Sequence, residues 1–372
     1  MLPTPWGDAE KLRQRRLPPG RSGDRGAARR EQRERLFAAT VASCAEKGFD
    51  ATSVEDLLRI SGVSRATFYE QFDDKLDCFR AAEEEILTGA IAVTAAPLGG
   101  DGEPMERARG ALDAFLGLIV AQPLAARMCL VEAYAAGQAG VDPVREAIER
   151  IAALGRGALD QVPGRSPMPP ELVRGIVGGI YQVIYARLLD HREAELPALA
   201  EPLWDWATKF APPPRELRRA GRLNVAAPVP AAAPFAAYSV EQRILRGLAR
   251  AAAEKGYPAT TIADIAGAAA ISQTTFYEYF DGKAEALAAA LASSGAQLEA
   301  AAFPSVRRLE GSLEAVRVGF EEICGFFASE PAFARLRMVE TYSAGPEAIA
   351  LRDSTGVEIG RASCRERVFV GV

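Results

Sequence analysis

The chain contains itself twice: a second copy of one pattern begins 208 residues after the first. Ala45-Glu46-Lys47-Gly48 returns as Ala253-Glu254-Lys255-Gly256, and Thr67-Phe68-Tyr69-Glu70-Gln71-Phe72 as Thr275-Phe276-Tyr277-Glu278-Tyr279-Phe280. Positions 45–75 and 253–283 share 15 identities in 31, and the offset still holds, ungapped, at Arg127…Glu132…Tyr134 and Arg335…Glu340…Tyr342. A repeat this long is not a solenoid unit, which runs to tens of residues. Two tandem copies of one whole domain is the reading, and 372 residues is a length that suits it.

Composition narrows the class. With 49% hydrophobic and 25% charged residues the chain reads as globular rather than disordered. Its Ala-rich stretches, free of β-branched runs, favour helix almost throughout. No apolar run is expected to reach the roughly 18 residues of a membrane span. Cys44, Cys78, Cys129, Cys324 and Cys364 are scattered without CxxC pairing, which fits a reducing cytoplasm and gives a cytoplasmic expectation. His191 is the only histidine, so a zinc site or a His-based triad is disfavoured. No phosphate-binding Gly loop is present either. The chain is expected not to be an enzyme and to need no cofactor.

Local signals place the helices. Leu36, Phe37, Val41 and Cys44 fall on one helical face, with Gly48 as the cap beyond its end. Ser53 can cap a second helix with Asp56 three residues on. Gly62 supplies a turn, Ser64 caps a third helix expected to run through Phe72, and Asp73-Asp74-Lys75 opens a fourth. Helix, Gly-containing turn, helix is the geometry that sets a second helix in a DNA major groove. Phe68, Phe72, Val63 and Leu57 are the expected core.

These residues resemble the DNA-binding domain of the TetR family of bacterial transcription regulators. The resemblance rests on Lys47-Gly48-Phe49, Thr52-Ser53, Gly62-Val63-Ser64, Thr67-Phe68-Tyr69, Phe72 and Lys75, about fifty residues in each copy. It implies an all-α fold: two tandem TetR-like units, each a helix-turn-helix domain followed by a helical ligand-binding and dimerisation domain. It also implies a DNA-binding regulator, a repressor released by a small-molecule effector, with double-stranded operator DNA as partner. The rival from another class is a helical interaction protein that has lost DNA binding in one or both copies.

On that resemblance Arg65 and Gln71 are base readers, since Arg suits guanine and Gln suits adenine. Thr52, Thr67, Tyr69 and Lys75 are phosphate contacts, with Ser64 at the start of the same helix. Two readings stay open for Tyr69, a phosphate contact or packing on the first helix; Arg65 could equally be a solvated charge. Copy two offers Thr260, Ser272, Thr275, Tyr277 and Lys283 for the phosphates. Its reading positions change to Gln273 and Tyr279, so its base preference should differ. Ala270 replaces Gly62, at a cost near 1 kcal/mol if that turn needs φ > 0.

The domain plan follows. Residues 1–30, with eight Lys/Arg against three acids, form a basic disordered arm, either a solvated tail or a DNA-contacting one. Then come a helix-turn-helix domain at 31–80, a helical domain at 81–210, a Pro/Ala-rich linker at 211–238, a second helix-turn-helix domain at 239–290 and a truncated helical domain at 291–357. Residues 358–372 read as a non-native tail, with a divergent native end left open. Within 81–210 the helices should break at Pro97-Leu98-Gly99-Gly100, at Pro143 and at Pro163 to Pro170. Phe115, Met128, Tyr134, Tyr181 and Tyr185 are candidates for an effector pocket, with plain core as the competing account. Asp142–Asp160 and Glu171–Asp190 occupy the place of the family's dimer interface. Two arrangements are open there, a pseudo-dimer of the copies in cis and a homodimer of chains. Arg127 with Glu132, and Arg335 with Glu340, read as a structural ion pair.

Overall fold

The computed structural model describes residues 4–14, 25–162, 167–209, 238–308, 313–345 and 347–354. Among these the structure is helical, with one isolated bridge, Thr4 to Gly7, and no strand. The linker at 211–237, the tail from 358 and Pro163 to Ser166 lie outside the described residues. The chain divides into two units, residues 1–216 and 217–372.

Unit one begins with α1 (Ala9–Gln14) and α2 (Arg25–Ala51). Non-helical dihedrals at Gly48, φ 79° and ψ 164°, kink α2 where a cap was expected. α3 (Val54–Ser61) starts in a capping box: Ser53 Oγ accepts from the Asp56 N–H while the Asp56 carboxylate accepts from the Ser53 N–H. It ends at Gly62, φ 69°, in the left-handed region that glycine enters without a Cβ clash. α4 (Arg65–Tyr69) is capped by Ser64 and is shorter than expected. The helix stops at Tyr69, and Phe72 reaches the core from the turn that follows. α5 (Lys75–Ala95) is capped by Asp74.

α6 (Pro104–Ala121), α7 (Pro123–Leu130), α8 (Gln138–Leu159), α9 (Pro170–Leu189) and α10 (Ala200–Thr208) complete the unit. Pro143 does not break the chain as expected. It lies within α8, and only the bond to residue 139, in the opening turn, is lost there. The break falls instead at Gly137, φ 71°. α9 corrects the membrane-length expectation, because it is long and apolar enough to cross a membrane by length and composition. Here it turns Val173, Ile176, Ile184, Tyr185 and Leu188 into the core. Of its three glycines, Gly179 meets a neighbour: an added Cβ would lie 2.6 Å from the Trp206 ring.

Two cores stack along α5. Cys78, Phe79 and Ala82 join Leu36, Phe37, Leu57, Phe68, Phe72 and Met128 in the first. Leu87 joins Leu116, Ile119, Cys129, Val144, Ile184 and Leu188 in the second, and Ile86 touches both. One straight helix therefore belongs to the helix-turn-helix head and to the body at once.

The disordered-arm expectation fails for residues 4–14. Asp8 caps α1 through the N–H groups of Glu10 and Lys11. Trp6 stacks 5.1 Å from Phe37 and donates to Glu85, and Leu12 and Ala9 pack on Ala38, Ala42 and Ile60. Six residues cannot hold a helix by propensity alone; these contacts with the head hold it.

Unit two repeats the head. α11 (Val240–Lys255) ends at Gly256, φ 82°; α12 (Ile262–Ala269) starts at the Thr261 capping box; α13 (Gln273–Tyr277) is capped by Ser272. α14 (Lys283–Arg308), α15 (Leu313–Ser329) and α16 (Pro331–Met338) follow. Ala270 sits at φ 53°, ψ 49°, so the left-handed turn is kept without its glycine. Ala270→Gly should therefore raise unit two's stability by about 1 kcal/mol. Chemical denaturation of the full chain followed by circular dichroism reads this as a shift of one transition, and an unchanged curve counts against backbone strain there.

Candidate nucleic-acid interface

α3, the Gly62 turn and α4 form a helix-turn-helix, and Phe68 is the pin that fixes it, fully buried against Leu57, Phe37 and Phe72. With one side of a five-residue helix committed inward, Arg65, Ala66, Tyr69 and Glu70 are left facing solvent. Tyr69 is 50% exposed and stacks edge-on against Phe68. In α13, Gln273, Thr274, Tyr277 and Tyr279 present the same face, with Tyr277 55% exposed. Arg65 is exposed and ion-paired with Glu55 on α3. That pairing orients its guanidinium without burying it.

Several expected DNA contacts are committed elsewhere. Thr52 and Thr260 are buried, and their hydroxyls donate to the carbonyls of Gly48 and Gly256, each at 2.7 Å. They close the turn after the first helix of each head rather than facing a phosphate. Ser64 and Ser272 accept from the N–H groups of Thr67 and Thr275, at 3.1 and 3.0 Å, and each also bonds that threonine's hydroxyl. Gln71 does not lie on the reading face; its amide nitrogen and oxygen are shielded from solvent and have no hydrogen-bond partner.

The lysines are the largest departure. Lys75 Nζ donates to the carbonyls of Phe49, Asp50 and Thr52 at 2.8, 3.1 and 2.8 Å, and lies 4.4 Å from the Phe49 ring centroid. Lys283 repeats this with Tyr257, Pro258 and Thr260 at 2.9, 3.2 and 3.0 Å, over the Tyr257 ring. An ammonium has three protons, and here each meets a carbonyl just past the kinked end of the first helix. That makes it a staple between the fourth helix and the turn ahead of the second.

A second staple comes from the acids at 132 and 340. The Phe49 N–H donates to Glu132 Oε2, and the Tyr257 N–H to Glu340 Oε2, both at 2.8 Å. Burial raises the Glu132 carboxyl above its ordinary range, against the lowering effect of that bond and of Arg127. The ion-pair expectation holds in copy two, where Arg335 reaches Glu340 at 3.1 Å. In copy one Arg127 donates instead to the Leu188 carbonyl on α9. The repeated spacing marked these residues, but nothing in it pointed to the backbone of another helix.

Below the head, α5 to α10 enclose an apolar cavity of about 340 Å³. Leu87, Ala90 and Thr94 of α5 face Phe115 and Ile119 of α6, Cys129 and Leu130 of α7, Val144 and Ile148 of α8, and Ile176, Ile180 and Tyr181 of α9. Of the five pocket candidates, Phe115 and Tyr181 line it. Met128 is turned the other way into the head's core, because α7 shows one side to each core. Tyr134 bonds Tyr181 hydroxyl to hydroxyl at 3.1 Å and meets Tyr185 edge-on, so these two form the support behind the wall.

Sequence reasoning missed Glu83. It lies on α5, fully buried, with neither carboxylate oxygen hydrogen-bonded. Burial pushes its carboxyl up to about 9, with Arg80 pulling weakly the other way.

The family model of bacterial regulatory proteins of the tetR family matches residues 36–82 and, again, 244–290. Similar solved structures include the transcriptional regulator FadR from Bacillus subtilis in complex with stearoyl-CoA, 16% identical, covering 46% of this chain and 95% of that one, with a TM-score of 0.42. A TetR-like regulator from Rhodococcus sp. RHA1 is 22% identical over 52% of this chain and 97% of its own, at 0.43. A TetR family regulator from Marinobacter aquaeolei VT8 is 21% identical over 47% and 94%, at 0.38. No curated protein matches. Both family matches fall on the two stapled helix-turn-helix heads, and the chain belongs to the TetR family as a DNA-binding transcriptional regulator built of two tandem TetR-like units.

Proposed function

We propose that the chain is a repressor whose first unit is released from operator DNA by a small apolar molecule entering the cavity of α5 to α10. One observation carries this reading: α5 forms a wall of the cavity and, two turns earlier, part of the head's core. A molecule that separates α5 from α7 acts on both ends of the same rod. In each unit the reading face is α4 or α13, with Arg65, Thr67 and Tyr69 in one and Gln273, Thr275, Tyr277 and Tyr279 in the other.

Arg65 is the proposed base reader of unit one, released from Glu55 on binding. Arg65→Ala should cost roughly 1–3 kcal/mol on the selected operator and relax preference at one base pair, as loss of a bidentate contact does. Fluorescence anisotropy against the operator and its single-base variants measures this. An unchanged specificity profile removes Arg65 from the reading role. Addition of an apolar ligand that fills the cavity should lower operator affinity in the same assay, and unaltered affinity at saturation counts against the repressor reading.

A further inference from the structure

The duplication lets one unit report on the other. The cavity-lining residues Ile86, Cys129 and Val144 of unit one correspond, at the 208-residue offset, to Ser294, Arg337 and Arg352 of unit two, and buried Glu83 corresponds to Leu291. Four positions around one end of the cavity have changed together. In unit two the Arg337 side chain is buried. It donates to the carbonyls of Leu291 at 2.9 Å and of Arg352 at 3.0 Å, and lies 3.5 Å from Ser294 Oγ. A guanidinium thus fills the place that unit one lines with Cys129. In unit one no such cation is present at that place, yet a carboxylate is, one helical turn before Leu87 on α5 and without a partner. A buried polar group with no partner calls for a missing one.

We propose that the cavity of unit one takes a single amphipathic cation, its tail among the apolar walls and its ammonium or guanidinium head against Glu83, and that unit two, carrying Arg337 there, takes none. The proposal rests on the cavity being the effector site. The head occupies the position that Arg337 marks, with the carboxylate in addition to the backbone carbonyls of residues 83 and 144. An ionised head and carboxylate shielded from water attract far more strongly than they would at the surface. The apolar walls alone cannot tell a cation from an alcohol of the same length. Glu83 is therefore the specificity-determining residue, and effector response belongs to one half of the duplicated chain.

Isothermal titration of the full chain with dodecylguanidinium, dodecanol and dodecanoate, each below its aggregation concentration, tests this. Dodecylguanidinium should bind one molecule per chain, at least about tenfold tighter than either other probe. Glu83→Gln and Glu83→Leu, the second being unit two's own residue, should erase that preference while leaving dodecanol binding nearly unchanged. Equal affinity for dodecanol, or a preference that survives both substitutions, overturns the headgroup assignment and leaves the cavity reading standing. Two molecules per chain overturn the blocked second unit. No binding by any of the three overturns both the proposal and the cavity reading.

Discussion

Lys75→Met should unfold the first head more readily, by about 2–4 kcal/mol, because three carbonyls lose a charged donor at once. The contact with the Phe49 ring is lost too. The carbonyls sit at the end of a helix, where a cation is favoured by the dipole, so methionine replaces nothing that it removes. Lys283→Met should do the same to the second head. Denaturant titration of the full chain should show each substitution moving the transition of its own unit. A lysine that served chiefly as a phosphate contact would behave otherwise: stability would hold, and the dependence of DNA affinity on salt would flatten by about one counterion. That pattern would overturn the staple.

Glu83→Leu should stabilise unit one, and by more as pH rises. The folded carboxyl titrates near 9, against roughly 4.3 in the unfolded chain. Between those values the folded state holds a proton that the unfolded state has given up, so stability falls with rising pH across that window and levels off above it. The groups acting on this carboxyl are Arg80, and the buried thiol of Cys129 with that of Cys44 behind it. By pH 7 the loss amounts to roughly 3 kcal/mol, which leucine would abolish. Unfolding measured at pH 5, 7 and 9 should converge for the two proteins at the acid end and diverge at the alkaline end. Parallel curves would mean that the acid is not buried as described.

The head was readable because its rules are local. Ser53 with Asp56, Ser64, Gly62 and the apolar spacing of Leu36 to Cys44 each act within one or two turns, and each stands where the sequence put it. The site was less legible, because a side chain's partner there is set by distant packing. Thr52 and Lys75 look like phosphate ligands until the end of α2 folds back beneath them. Trp6 and Leu12 carry no periodicity, only a fit to Phe37 and Ala38. Glu83 sits in a run of three acids, which reads as a solvated face. A signal was present all the same: Phe79, Glu83 and Leu87 are four apart, and that spacing puts the middle acid on the buried stripe.

Mechanically, each head rides on two struts. One is the long helix, α5 or α14; the other is the bond from Glu132 or Glu340, just past α7 or α16, to the peptide that follows the kink. Two struts of this kind convert a change in their spacing into a tilt of the head. In unit one the gap between them is spanned by apolar contact alone beside Cys129, which yields to a wedge. In unit two Arg337 on α16 is bonded to the Leu291 carbonyl on α14, and that bond rivets the struts together. The duplicated chain thus pairs a compliant gauge with a stiff one, and a tilt in the first is measured against the fixed setting of the second.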